Sequence, residues 1–129
     1  MRCGKNNNKT QYFSKKTDFG VSSMVSSLKT VGMLKPMEAL KRADPNKWHY
    51  GQAFDPSKIE RDYSSFIKIL NSLDVEILWM TPKNNENADS VFTYDPSFMT
   101  QKGAILLSPG KSLRRGEEKI HEEFYKNNN

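Results

Sequence analysis

At 129 residues, with 36% hydrophobic and 11% aromatic side chains, the chain carries enough apolar material for one modest core and too much for a disordered polypeptide. Its formal charge of +5 comes from 20 Lys and Arg set against 15 Asp and Glu, scattered along the sequence rather than gathered into the basic and aromatic clusters of a nucleic-acid-binding module. A single cysteine, Cys3, excludes an intrachain disulfide, and no apolar run is long enough for a secretory core or a bilayer span, so the expected setting is a reducing cytoplasm with neither nucleic acid nor membrane as partner.

Residues 1–18 include Asn6-Asn7-Asn8 with Lys5, Lys9, Lys15 and Lys16, and read as a flexible N-terminal arm before an ordered domain spanning 19–129. Leu28 to Lys35 has the length and β-branched content of a strand, ended by Pro36. Met37 to Phe54 reads as a long loop whose Trp48, His49 and Tyr50 either serve a site or cover the core. Asp55-Pro56 supplies an N-cap carboxylate and a proline at the first helical position. Ile59, Tyr63, Phe66, Ile67, Leu70 and Leu73 then fall on one helical stripe. Val75 to Met80 is a nearly continuous apolar run, the pattern of a strand covered on both faces.

Further on, Ser90 to Tyr94 and Gly103 to Leu107 read as two short strands that pair across Asp95-Pro96 and a turn near Gln101-Lys102-Gly103. A last helix is predicted over about 116–125, with Ile120 and Phe124 inward and Glu117, Glu118, Glu122 and Glu123 in water. Strands alternating with helices indicate an α/β architecture.

For chemistry, neither histidine shows the partners of nucleophilic catalysis: His49 lies in the aromatic loop, and His121 has Glu117 one helical turn before it as a partner. Asp89 and Asp95 lie on one face of a continuous strand if Ser90 to Tyr94 is extended; otherwise one caps the strand and the other makes a turn before Pro96. Arg114-Arg115 beside Gly116 either reaches a ligand carboxylate as a fork or stays at the surface. Two carboxylates and an arginine suit a zwitterion that ends in a planar cation, because carboxylates pair with guanidinium through parallel hydrogen bonds and arginine does the same for carboxylate. Pro109-Gly110-Lys111-Ser112 is no phosphate-binding loop, since Ile105 stands where its first glycine belongs.

Ala88-Asp-Ser-Val-Phe-Thr-Tyr-Asp95, Met99 to Gly110 and Leu113-Arg-Arg-Gly-Glu117 together resemble the dimethylargininase, arginine deiminase and amidinotransferase superfamily, with a looser likeness over about 19–125. The resemblance implies the five-bladed α/β propeller called the pentein fold, of which this chain supplies the first one to two blades and is incomplete. It implies hydrolysis of guanidino compounds: a cysteine attacks the guanidinium carbon to give a covalent thiouronium, a histidine moves protons, and acidic residues hold the nitrogens. Neither metal nor cofactor is implied. Carried over by position, Asp89 and Asp95 correspond to substrate-holding acids and Arg114 to the arginine that meets the substrate carboxylate. Tyr94 stands at a substrate-lining position often acidic in dimethylargininases. The nucleophilic cysteine and catalytic histidine fall in the later part of such chains, so these residues are expected to be the N-terminal portion of a longer enzyme, inactive alone. The expected partner is a small arginine derivative, with a homodimer compatible with the complete enzyme. The alternatives are an amidinotransferase of the same superfamily and a non-catalytic binding or assembly protein that retains the fold.

Overall fold

A computed structural model describes residues 20–23, 25–83 and 86–128. The arm expected at 1–18, with Cys3, lies outside the described residues. In chain order the elements are β1 (Thr30–Met33), α1 (Glu38–Lys41), α2 (Pro45–Trp48), α3 (Pro56–Ser72), β2 (Glu76–Trp79), β3 (Ser97–Thr100), β4 (Gly103–Leu106) and α4 (Glu117–Asn128). Short 3-10 turns occupy Ala88–Val91 and Ser112–Arg114. The α/β class read from the sequence holds.

β1 and β2 pair in parallel, from Thr30↔Glu76 to Met33↔Trp79, with α3 as the crossover that a parallel pair requires. Alternation along the strands divides their side chains between two helices. Val31, Met33, Val75, Ile77 and Trp79 meet Tyr63, Ile67 and Leu70 of α3. Leu34, Leu78 and Met80 meet Ile120, Phe124 and Tyr125 on the opposite face. The sheet is therefore covered on both sides, as the apolar run at 75–80 predicts. Gly32 allows close approach there: a Cβ at this position would lie 3.2 Å from both Met80 Cε and Phe124 Cε1.

Helix α3 begins where Asp55-Pro56 predicts, with Asp55 Oδ1 accepting from Ser57 N at 2.9 Å. Its inward stripe is narrower than the sequence suggests. Phe66 is 47% exposed and Leu73 66%, because one lies a step around from Ile67 and the other has already left the helix. At the C-terminus, Val75 N donates to Leu70 O at 3.1 Å and Asp74 N to Asn71 O at 3.2 Å, with Asp74 at φ 54°. These are the paired bonds of a Schellman ending, and Val75 packs against Leu70 as such an ending favours.

Two expectations fail over 37–107. Met37 to Phe54 is not a plain loop: it holds α1 and α2, and Leu40, Trp48, Tyr50 and Phe54 form a third apolar cluster with Ala88, Val91 and Leu113. Asp44 and Pro45 start α2 by the same cap chemistry that starts α3, over a helix too short for periodicity to reveal. Ser90 to Tyr94 is not a strand either. Asp89 and Ser90 hold a 3-10 turn, Phe92 N donating to Asp89 O at 2.9 Å and Ser90 Oγ to Asn87 O at 2.8 Å, because short polar side chains compete with extended pairing. The antiparallel partner of Gly103–Leu106 is instead Ser97–Thr100, joined through Gln101-Lys102.

Candidate functional site

The 3-10 turn at Ala88–Val91 delivers Asp89 to the end of α2, where it is 5% exposed. Tyr50 donates its phenol to Asp89 Oδ1 at 2.5 Å, and Lys111 donates to Asp89 Oδ2 at 2.7 Å and to the Trp48 carbonyl at 2.6 Å. The same ammonium lies 4.8 Å from the Trp48 ring centroid and 5.6 Å from that of Tyr50. Burial, then the bond to Asp89, pushes the Tyr50 phenol far above its ordinary range.

A second cluster centres on Arg114, at the end of the following 3-10 turn and 8% exposed. Its Nε and Nη2 both donate to Glu117 Oε2, at 2.9 and 2.7 Å, and its Nη1 donates to Asp95. Burial alone would make Arg114 easier to deprotonate, but hydrogen bonds to Glu117 and Asp95 outweigh it, so the guanidinium stays charged. Glu117 is 0% exposed, which corrects its expected place in water: an arginine three residues earlier draws it inward. Burial pushes the Glu117 carboxyl above its usual range, with Arg114 opposing, and its Oε1 has no hydrogen-bond partner among the described residues.

His121 does not pair with Glu117. Its Nδ1 lies 2.8 Å from Ser97 Oγ, which lies 2.7 Å from the Tyr125 hydroxyl. Burial, then the Arg114 charge, brings the imidazole down to about 4, so it is neutral at neutral pH. His49 is exposed at the end of α2 with φ 59°.

Of the four residues singled out from the sequence, Asp95 and Arg114 come together. Asp89 is engaged instead by Lys111 and Tyr50, and Tyr94 turns outward at 76% exposure, edge-on to Phe92. The same-face arrangement of Asp89 and Asp95 on one strand does not form, because the strand does not. Sequence reasoning missed Lys111, Tyr50 and Glu117 as members of the two clusters. The aromatic pair in the 37–54 stretch and a lysine inside the rejected phosphate-loop pattern were the available signals for the first two. Arg114 and Glu117 at a spacing of three were the signal for the third.

By sequence and by fold, the chain is similar to part of the enzymes of the dimethylargininase superfamily. It is 37% identical over 75 residues to N(G),N(G)-dimethylarginine dimethylaminohydrolase of Pseudomonas aeruginosa, a match covering 58% of this chain and 29% of that enzyme. Among solved structures it is similar to a dimethylarginine dimethylaminohydrolase adduct with 4-chloro-2-hydroxymethylpyridine, with TM-score 0.62, 30% identity, and coverage of 78% of this chain and 37% of that one. It is equally similar, at TM-score 0.62 and 28% identity, to a cysteine-to-serine variant of the Pseudomonas aeruginosa enzyme complexed with citrulline, covering 79% of this chain and 39% of that one. The chain thus spans less than two fifths of the length of these relatives. No protein-family model matches it.

Proposed function

We propose that this chain is the substrate-holding part of a guanidino hydrolase of the dimethylargininase kind, forming the first one to two blades of a pentein propeller. The observation that carries this reading is the Arg114–Asp95 pair, one side chain 10% and the other 34% exposed. Such a pair complements a zwitterionic amino acid bearing a guanidino group. The ligand's carboxylate replaces Asp95 on Arg114 Nη1, and its guanidinium replaces Arg114 on Asp95, so the charges are exchanged rather than stripped of partners. Glu117 grips the other edge of Arg114 and keeps that fork aimed while the exchange takes place. Asp89 is the second acid of the site, and Tyr94 supplies an exposed aromatic wall beside Asp95.

The bond-breaking step needs a thiolate that adds to the guanidinium carbon and expels the protonated amine; water then attacks the thiouronium carbon, which leaves as the ureido product and returns the thiolate. The match covers less than two fifths of the relatives' length, the resemblance puts the nucleophile and the catalytic histidine in the later part of such chains, and His121 is held against Ser97. The chain is therefore expected to bind but not to hydrolyse by itself. Calorimetric titration with citrulline and with N(G),N(G)-dimethylarginine checks this. Saturable binding should weaken at least tenfold in Asp95→Asn, with no ureido product formed by either protein. Absent binding, or affinity indifferent to Asp95→Asn, would remove the site.

A further inference from the structure

The ammonium of Lys111 sits in surroundings that recognise free organic cations. Two aromatic faces, of Trp48 and Tyr50, flank it at 4.8 and 5.6 Å, a backbone carbonyl accepts from it at 2.6 Å, and the Asp89 carboxylate balances its charge at 2.7 Å. Trp48 and Asp89 are buried, and the lysine head enters from the rim with its side chain 28% exposed. An aromatic cage with a carboxylate at its base draws ammonium and guanidinium groups by ring quadrupole and charge together. We propose that Lys111 is a tethered occupant of a cation cage formed by Trp48, Tyr50 and Asp89, and that it competes with any external alkylammonium or guanidinium group for that cage. The competition rests on the preceding reading only in so far as Asp89 is taken there as a substrate-holding acid; the cage itself is independent of it.

The consequence follows from tethering. A group attached through a short flexible stem presents itself at an effective concentration on the order of millimolar or more, so a free cation that binds the empty cage in the millimolar range is excluded while the stem is in place. Lys111 then sets the threshold at which a ligand's cationic end reaches Asp89. It selects for ligands anchored elsewhere on the protein as well.

The test uses the full chain carrying Trp79→Phe, so that fluorescence reports Trp48 alone. In Lys111→Ala, n-propylammonium chloride replaces the lost stem and head, and the Trp48 signal should saturate at a concentration at least tenfold lower than in the Lys111 protein. Adding Asp89→Asn to Lys111→Ala should abolish the response. If circular dichroism shows Lys111→Ala unfolded, Lys111→Gln carries the same comparison, because it removes the charge while keeping a hydrogen-bond donor for Asp89. Equal responses with and without Lys111, or no response in a folded lysine-free variant, would overturn the proposal. The probe has neither a guanidino group nor a carboxylate, so it reads the cage alone. Failure of citrulline binding with success of this experiment would leave the cage standing, and the reverse outcome would leave the Arg114–Asp95 site standing.

Discussion

The layer of β1, α3 and β2 and the stretch from Asp89 to His121 are neighbours held by opposite means. In the layer, Met33, Leu70 and Val75 are closed off by further hydrocarbon, and the main polar contact to the helix is Tyr63 donating to the Leu34 carbonyl at 2.8 Å. In the stretch, the buried titratable groups are Asp89, Arg114, Glu117 and His121, each bonded to named side chains, while Glu117 Oε1 has no partner among the described residues. Hydrocarbon asks for area and shape, and its losses are graded. A buried ion asks for its particular counter-ion, and losing that leaves a charge that water cannot reach. The site stretch is therefore expected to be brittle where the layer is forgiving.

The sharpest way to break this contrast is Arg114→Ala, which strands Glu117 at full burial. It should lower unfolding free energy by about 3–5 kcal/mol, read from the urea midpoint, and Glu117→Gln in the same background should recover part of the loss. A loss below about 1 kcal/mol would mean that Glu117 accepts a proton with little cost, and the contrast would collapse. Leu70→Ala, in the apolar layer, should cost about 3 kcal/mol with an unchanged dependence on pH.

The pH dependence should come from the other region. The folded His121 imidazole titrates near 4, below its ordinary 6.5, so between these values the unfolded chain holds the extra proton. Its stability contribution is complete above about pH 6.5 and declines as the pH falls toward 4. Urea midpoints measured at pH 7 and 4.5 should show this decline in the parent and a shallower one in His121→Gln. Glu117 acts in the opposite direction, since its raised folded value makes stability fall as the pH rises through it. The smallest effect is expected at the α3 cap, where Asp55→Ala should lower the urea midpoint by less than any of the changes above.

This division also explains what was legible in the sequence. Pro56 to Met80 was read correctly in outline, because a helix stripe and a two-sided strand write their periodicity into consecutive residues, and Asp55-Pro56 marks its own boundary. The site stretch was misread wherever a distant residue decides the structure. Asp89 lies 39 residues from Tyr50 and 22 from Lys111, and no local pattern announces those partners. Glu117 was placed in water because glutamates in a polar helix usually are, and only a buried Arg114 reverses that preference. Asp95 and Arg114 emerged from family likeness, not from spacing, which had left a turn and a surface charge open at those positions.

The Schellman ending at Asp74 also has a meaning in terms of phase. It fixes the number of residues between the last inward position of α3, Leu70, and the first of β2, Val75. Side chains of a strand change sides at every step, so one residue inserted at this corner would exchange the two faces of β2. Leu78 and Met80 would turn toward α3, and Ile77 and Trp79 toward Phe124, where Gly32 leaves space fitted to the existing pair. A single left-handed aspartate thus acts as the counter that tells the strand which of two helices each side chain will meet.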